Sequence, residues 1–146
     1  PLLDKLGPEP LSDEFSVDYL MGRAANVKRN IKTFLMDSEV VVGVGNIYAN
    51  EALYYSGIRP LAEAGKVSRR RMDRLVPAVK MVLEKAIQAG GTSLRDFLHE
   101  DGKPGYFRHE LQVYGREGEA CYRCGGALTS LRISSRATVF CKRCQR

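Results

Sequence analysis

The chain is 146 residues long, 44% hydrophobic and 27% charged, with a formal net charge of +6. That length suits one domain with a small appended module. No apolar run approaches the roughly 20 residues of a membrane-spanning helix, and Pro1-Leu2-Leu3-Asp4-Lys5-Leu6 lacks an apolar signal-peptide core, so the expectation is a cytoplasmic protein, neither membrane-bound nor secreted.

Gly7-Pro8-Glu9-Pro10 reads as a linker, and with no initiator Met more chain is expected before it. Ser12-Asp13-Glu14 offers capping chemistry for a helix over 14–27, with Phe15, Tyr19 and Leu20 on its buried face. A short second helix is expected over 30–36, burying Ile31, Phe34 and Leu35. A third starts near Asn46 and ends at Gly57, a residue suited to the left-handed turn that closes helices. Tyr54 and Tyr55 in it read as core and rim. Ser68 can cap a long helix running to Ala89, stopped by Gly90-Gly91, with Leu75, Val79, Val82, Leu83, Ala86 and Ile87 as its apolar stripe. Pro77 is expected to kink or restart it. Arg69-Arg70-Arg71 read as a solvated first turn, with DNA contact as the alternative. Thr92 can cap a short helix over 94–98, followed by a loop over 99–106. His99 and His109 read as polar loop residues. A strand is expected at 111–114, and a hairpin from 128–133 and 137–140.

All four cysteines lie at the C-terminal end, as Cys121-Tyr-Arg-Cys124, sixteen residues, then Cys141-Lys-Arg-Cys144. Four soft thiolates in two CxxC knuckles suit one tetrahedral Zn²⁺, with no position left open for catalysis. The alternative is a pair of disulfides, but disulfide-held secreted scaffolds spread cysteines along the chain, and the first 120 residues here have none. From Cys121 onward the charged residues are Arg123, Arg132, Arg136, Lys142, Arg143 and Arg146, with no acid among them. These six equal the net charge of the whole chain, so a positive module is attached to a charge-balanced body. Such focused charge attracts polyphosphate and releases its counterions; a solvated basic surface is the bland alternative.

A second constellation is Gly43-Val-Gly-Asn46. Two glycines before a helix start allow close backbone approach, and the helix N-terminus offers unpaired N–H groups to a phosphate. Asn46 can cap the helix or donate its amide to a phosphate oxygen. Tyr48 stands where a dinucleotide fingerprint would need its third glycine, so an ordinary tight helix start remains an equal reading.

Leu6-Gly-Pro-Glu-Pro-Leu11, Ile31-Lys-Thr-Phe-Leu-Met-Asp37, Val42-Gly-Val-Gly-Asn-Ile-Tyr-Ala49, Gly102-Lys-Pro-Gly-Tyr-Phe107, Gln112-Val-Tyr-Gly-Arg116 and the Cys₄ box occur in one order. Together they resemble the formamidopyrimidine-DNA glycosylase/endonuclease VIII family, specifically the C-terminal half of its bacterial formamidopyrimidine-DNA glycosylases. The resemblance implies a mainly α fold: a linker remnant (1–11), a helix-two-turn-helix DNA-binding domain (12–100), a lesion-capping loop and connector (101–112), and a β-hairpin zinc ribbon (113–146).

It further implies a bifunctional DNA glycosylase/AP lyase of base-excision repair. Such an enzyme removes oxidised purines (8-oxoguanine, formamidopyrimidines) and then nicks the abasic strand by β,δ-elimination. DNA contacts would come from Lys28, Lys32, Asn46, Tyr48, Arg95 and Arg136. Arg95 stands where the family has a lysine near the lesion. Arg136 would also be the proposed proton donor in δ-elimination. Asp101, Gly102, Lys103, Gly105 and Tyr106 would belong to the loop over the everted base, and Cys121, Cys124, Cys141 and Cys144 would hold one structural Zn²⁺. Partners would be double-stranded DNA carrying oxidised bases or abasic sites, and an N-terminal catalytic domain. The family's nucleophile is an N-terminal proline followed by glutamate, whereas Pro1 is followed by Leu2-Leu3 and matches the interdomain segment. The 146 residues are therefore expected to be a nucleoid-associated monomer, inactive alone. A stand-alone DNA-binding module and a zinc-ribbon protein adaptor are the alternatives.

Overall fold

The computed structural model describes residues 5–89 and 111–146. The short helix expected at 94–98, Arg95, the loop residues Asp101 to Tyr106, His99 and His109 lie outside the described residues. Among the described residues, four α-helices precede one antiparallel hairpin: α1 Val17–Ala24, α2 Ile31–Met36, α3 Asn46–Ser56, α4 Arg69–Gln88, β1 Thr129–Ile133 and β2 Arg136–Phe140. A 3-10 turn, Ala64–Lys66, leads into α4.

Helix α1 starts later than the sequence suggests. Its cap is Ser16, whose side chain accepts from the Tyr19 N–H, while the Ser12 hydroxyl instead donates to the Glu9 carbonyl at 2.7 Å. Phe15 before the cap and Leu20 in the second turn are both fully buried in one cluster, the staple that fixes how a chain enters a helix. Asn26, at φ 64°, ends it. Asn30 caps α2 by accepting from the Thr33 N–H. Ile31, Phe34 and Leu35 are then buried, each worth about 1.5–3 kcal/mol relative to exposure.

Gly57 closes α3 in the left-handed conformation, φ 75°. Ser68 caps α4 as expected, and α4 runs unbroken through Pro77. The reason is positional: Pro77 and Asp73 are both exposed, so the Asp73 carbonyl that loses its N–H partner faces water, and buried Leu75, Val76, Ala78 and Val79 hold the helix on either side. Helices α1 and α3 pack on α4, and their apolar faces form the main core with Leu111.

The hairpin pairs Thr129 with Phe140 through Ile133 with Arg136. Its tight turn places Ser134 and Ser135 at φ 51° and 66°. A second, smaller core holds Val113, Cys121, Leu128, Val139 and Cys141, together with Tyr54 from α3. The strand expected at 111–114 does not form. The backbone N–H groups of Gln112, Val113 and Tyr114 bond the Glu51 carboxylate at 2.7–2.9 Å, which leaves no donors for a neighbouring strand. Among the described residues the fold is thus mainly α, followed by a small two-stranded antiparallel hairpin that carries the four clustered cysteines. No described helix is long and apolar enough to cross a membrane.

Candidate nucleic-acid interface and metal centre

Helix α3 is buried along nine of its eleven residues, so even its polar side chains must point into protein. Asn46, Asn50, Glu51 and Tyr54 recur at helical spacing, and the contacts of all four run to the ribbon or its connector. The Asn46 and Asn50 amides both donate to the Ala137 carbonyl, at 3.0 and 3.3 Å. Asn50 Oδ1 accepts from the Val139 N–H at 2.8 Å. The Lys32 ammonium reaches the same strand from α2, donating to Thr138 Oγ1 at 2.7 Å and more weakly to the Ala137 carbonyl at 3.4 Å. Three side chains from two helices thus converge on one carbonyl at the start of β2.

Those bonds fix the hairpin turn that carries Arg136, which is exposed. A cavity of about 290 Å³ opens between α2 and this turn, lined by Arg29, Lys32, Thr33, Met36, Asp37, Ile133, Ser134 and Arg136. Lys32 and Arg136, expected at the site, therefore meet there. Lys32 is 1% exposed; burial, and then the Arg136 charge, lower its pKa from 10.5 to about 8. Arg29, which the sequence did not single out, pairs with Asp37 at 2.7 Å on the cavity rim. Lys28 is exposed between α1 and α2. Tyr48 is buried, which raises its phenol pKa.

Asn46 departs from expectation. Gly45 is the α3 cap and makes no side-chain cap bond; the Asn46 side chain turns to Ala137 and does not cap. Its Oδ1 is buried with no partner. Arg69 and Arg70 are exposed in the first turn of α4, with Arg69 paired to Asp18.

Glu51 is 1% exposed. Burial raises its pKa although three backbone N–H bonds oppose the shift. Nothing in the spacing marks it; what could have flagged it is a lone acid in an otherwise uncharged helix.

The four cysteines form no disulfide, and their sulfurs all lie within 4.8 Å of one another. Cys124–Cys141 and Cys121–Cys144 are separated by 3.5 and 3.8 Å, close to the edge of about 3.8 Å that a tetrahedron with Zn–S bonds of about 2.3 Å requires. Cys121, Cys124 and Cys141 each accept one backbone N–H at 3.4 Å. Burial raises the Cys121 thiol, but hydrogen bonds from Tyr54 and the backbone outweigh it and bring the pKa to about 6. Burial pushes Cys144 up to about 12. Thiolates this close repel, and a divalent cation is what lets all four ionise together. These residues fit one structural zinc with no open position. Gln145 locks the second knuckle, accepting from the Cys141 N–H and donating to the Ile58 carbonyl, both at 2.9 Å.

Comparison with known proteins fits this geometry. A family model described as the formamidopyrimidine-DNA glycosylase H2TH domain matches residues 6–98. The chain belongs to the formamidopyrimidine-DNA glycosylase family. A second model, the zinc finger found in FPG and IleRS, matches 118–146. Formamidopyrimidine-DNA glycosylase of Shewanella halifaxensis is 58% identical over 146 residues, covering 100% of this chain and 54% of that protein. The one from Xanthomonas campestris pv. campestris (strain 8004) is 62% identical over 145 residues, covering 99% and 54%. The chain thus spans about half the length of the curated relatives it matches. Among solved structures, the MutM (Fpg) protein from Thermus thermophilus superposes with a TM-score of 0.87 at 39% identity, over 99% of this chain and 55% of that one. Lactococcus lactis Fpg in complex with abasic-site DNA gives 0.88 at 34% identity, over 99% and 53%.

Proposed function

We propose that this chain is the DNA-gripping part of a bifunctional DNA glycosylase/AP lyase that removes oxidised purines from bacterial chromosomal DNA. The observation that carries the reading is the convergence of Lys32, Asn46 and Asn50 on Ala137. It holds the exposed Arg136 in a fixed position beside a cationic cavity, and a backbone clamp must be preorganised if a nucleotide is to be held out of the stack. Arg136 would grip phosphates near the flipped nucleotide and donate the proton for δ-elimination. Lys28, Lys32, Asn46, Tyr48 and Arg95 would line the same face, with Asn46 acting through the hairpin it supports. The loop from Asp101 to Tyr106, including Gly102, Lys103 and Gly105, would cover the base. The proposed units are a linker (1–11), the helical DNA-binding domain (12–100), the loop and connector (101–112) and the ribbon (113–146).

The described residues support DNA binding, with Arg136 as the proposed proton donor, and offer no accessible amine nucleophile in Lys32. Lys32, whose lowered pKa would suit an amine nucleophile, is held by Thr138 and buried. Acting on the chromosome would place the protein with the nucleoid.

The test is titration of a fluorescent duplex bearing a tetrahydrofuran abasic analogue across a salt series. Arg136→Ala is expected to weaken binding and reduce the salt slope by about 1. Unchanged affinity and slope would remove Arg136 from the interface. Incubating the 146-residue chain with an 8-oxoguanine duplex is expected to release no base.

A further inference from the structure

We infer that Tyr54 is an outer-sphere partner of the zinc centre: its hydroxyl donates to the Cys121 thiolate, so helix α3 positions and tunes the metal site from outside the ribbon.

The Tyr54 hydroxyl lies 3.2 Å from Cys121 Sγ, within hydrogen-bonding range for sulfur. A zinc-bound cysteine has no proton, so the phenol must be the donor. Among the described residues, the other N–H donors to these sulfurs are backbone groups of the knuckles themselves. They come with the CxxC turn and would exist in a ribbon on its own. Tyr54 comes from α3, 67 residues earlier in the chain.

Its placement is not incidental contact. Tyr54 is fully buried and packs with the ribbon's core, whereas its neighbours Leu53 and Ala52 pack in the helical core. The contact is also reciprocal. Arg123, inside the first knuckle, places its guanidinium 4.9 Å from the centre of the Tyr54 ring and its Nη2 3.5 Å from the Tyr55 carbonyl. The helix reaches in to the sulfur and the knuckle reaches out over the helix.

The chemistry that follows is specific. Zn²⁺ with four thiolates carries a formal charge of about −2. Each donor to sulfur withdraws part of that charge and fixes the ligand's orientation, and such outer-shell partners typically contribute 10–100-fold in metal affinity. An O–H donor also lowers the energy of the sulfur lone pairs, which sets the energy of charge transfer from sulfur to an open-shell metal.

The experiment uses the full 146-residue chain and Tyr54→Phe, which keeps the ring and removes the hydroxyl. In competition with a chromogenic chelator, zinc affinity is expected to fall about tenfold, with Tyr55→Phe unchanged as the neighbouring-ring control. In the cobalt-substituted protein, Tyr54→Phe is expected to move the thiolate-to-cobalt charge-transfer band to lower energy. Replacing Tyr54 with 3-fluorotyrosine, a stronger donor of nearly the same shape, is expected to move it to higher energy. A role in packing alone would lower affinity without moving the band. A band that stays in place in both variants, or that moves the same way in both, overturns the inference.

Discussion

The side-chain amide of Asn46 donates to the main-chain carbonyl of Ala137 at 3.0 Å, joining the first residue of α3 to the second residue of β2. The bond makes Asn46 a support of the hairpin, and Asn46 Oδ1 remains buried and unpartnered. Asn46→Ala removes one donor from a carbonyl that keeps Asn50 and Lys32, and is expected to cost about 1 kcal/mol. Asn46→Asp sets an anionic oxygen against that carbonyl and is expected to cost more, about 2–4 kcal/mol. Urea unfolding of the zinc-loaded protein at pH 7 checks the order; an Asp variant as stable as the Ala variant would contradict it.

Lys32 gives a pH dependence whose sign follows from its pKa of about 8, below the ordinary 10.5. Below pH 8 both folded and unfolded chains hold the proton, and folding bears the full cost of burying the charge. Between about 8 and 10.5 the unfolded state binds more protons, so this residue's contribution to stability rises with pH and levels off above. The gain is on the order of 1–3 kcal/mol. Lys32→Met is expected to flatten that rise. Because burial is the larger cause, Arg136→Ala is expected to move the Lys32 midpoint upward without restoring 10.5. NMR titration of the lysine side chain reads both midpoints.

Zinc removal is expected to unfold the ribbon and leave the helices largely intact. The ribbon's core is small and includes Cys121 and Cys141, so metal binding supplies much of its folding free energy. With chelator, amide hydrogen exchange is expected to accelerate in β1, β2 and Gln112–Tyr114, while α4 keeps its protection. Equal loss in α4 would show one cooperative unit. Cys141→Ser is expected to abolish stoichiometric zinc.

Glu51 holds three consecutive backbone N–H groups with two oxygens. Glu51→Gln keeps one oxygen and turns an NH₂ toward a backbone donor. The expected cost is about 1–3 kcal/mol, with faster exchange at amides 112–114 than at those of β1. Exchange unchanged at 112–114 would mean that the connector is held by something else.

Much of the molecule was legible from residue types. Gly57 and Ser68 sit at helix ends for reasons that residue type alone states, and the four cysteines announced their cluster through spacing. Reading failed where a residue's partner is distant in sequence. Ser12 and Ser16 are equally good caps locally, and the burial of Phe15 decided for Ser16. Residues 111–114 look like a strand because alternation does not reveal that a carboxylate sixty residues earlier takes their donors. Asn50 and Glu51 pass for a solvent face until the ribbon is placed over them. Of the two roles open to Asn46 on local grounds, capping is not taken, because its amide reaches Ala137, 91 residues away.

Helix α3 addresses the ribbon and its connector largely through main-chain atoms: the Ala137 carbonyl and the amides of Gln112, Val113, Tyr114 and Val139. Such a seat recognises a backbone path and is indifferent to most of the side chains that follow it. The two halves of the joint are therefore under unequal constraint. Ribbons of differing surface sequence could be transplanted onto this helix and still dock in register, whereas exchanging Asn46, Asn50 and Glu51 would leave even the native ribbon without a seat.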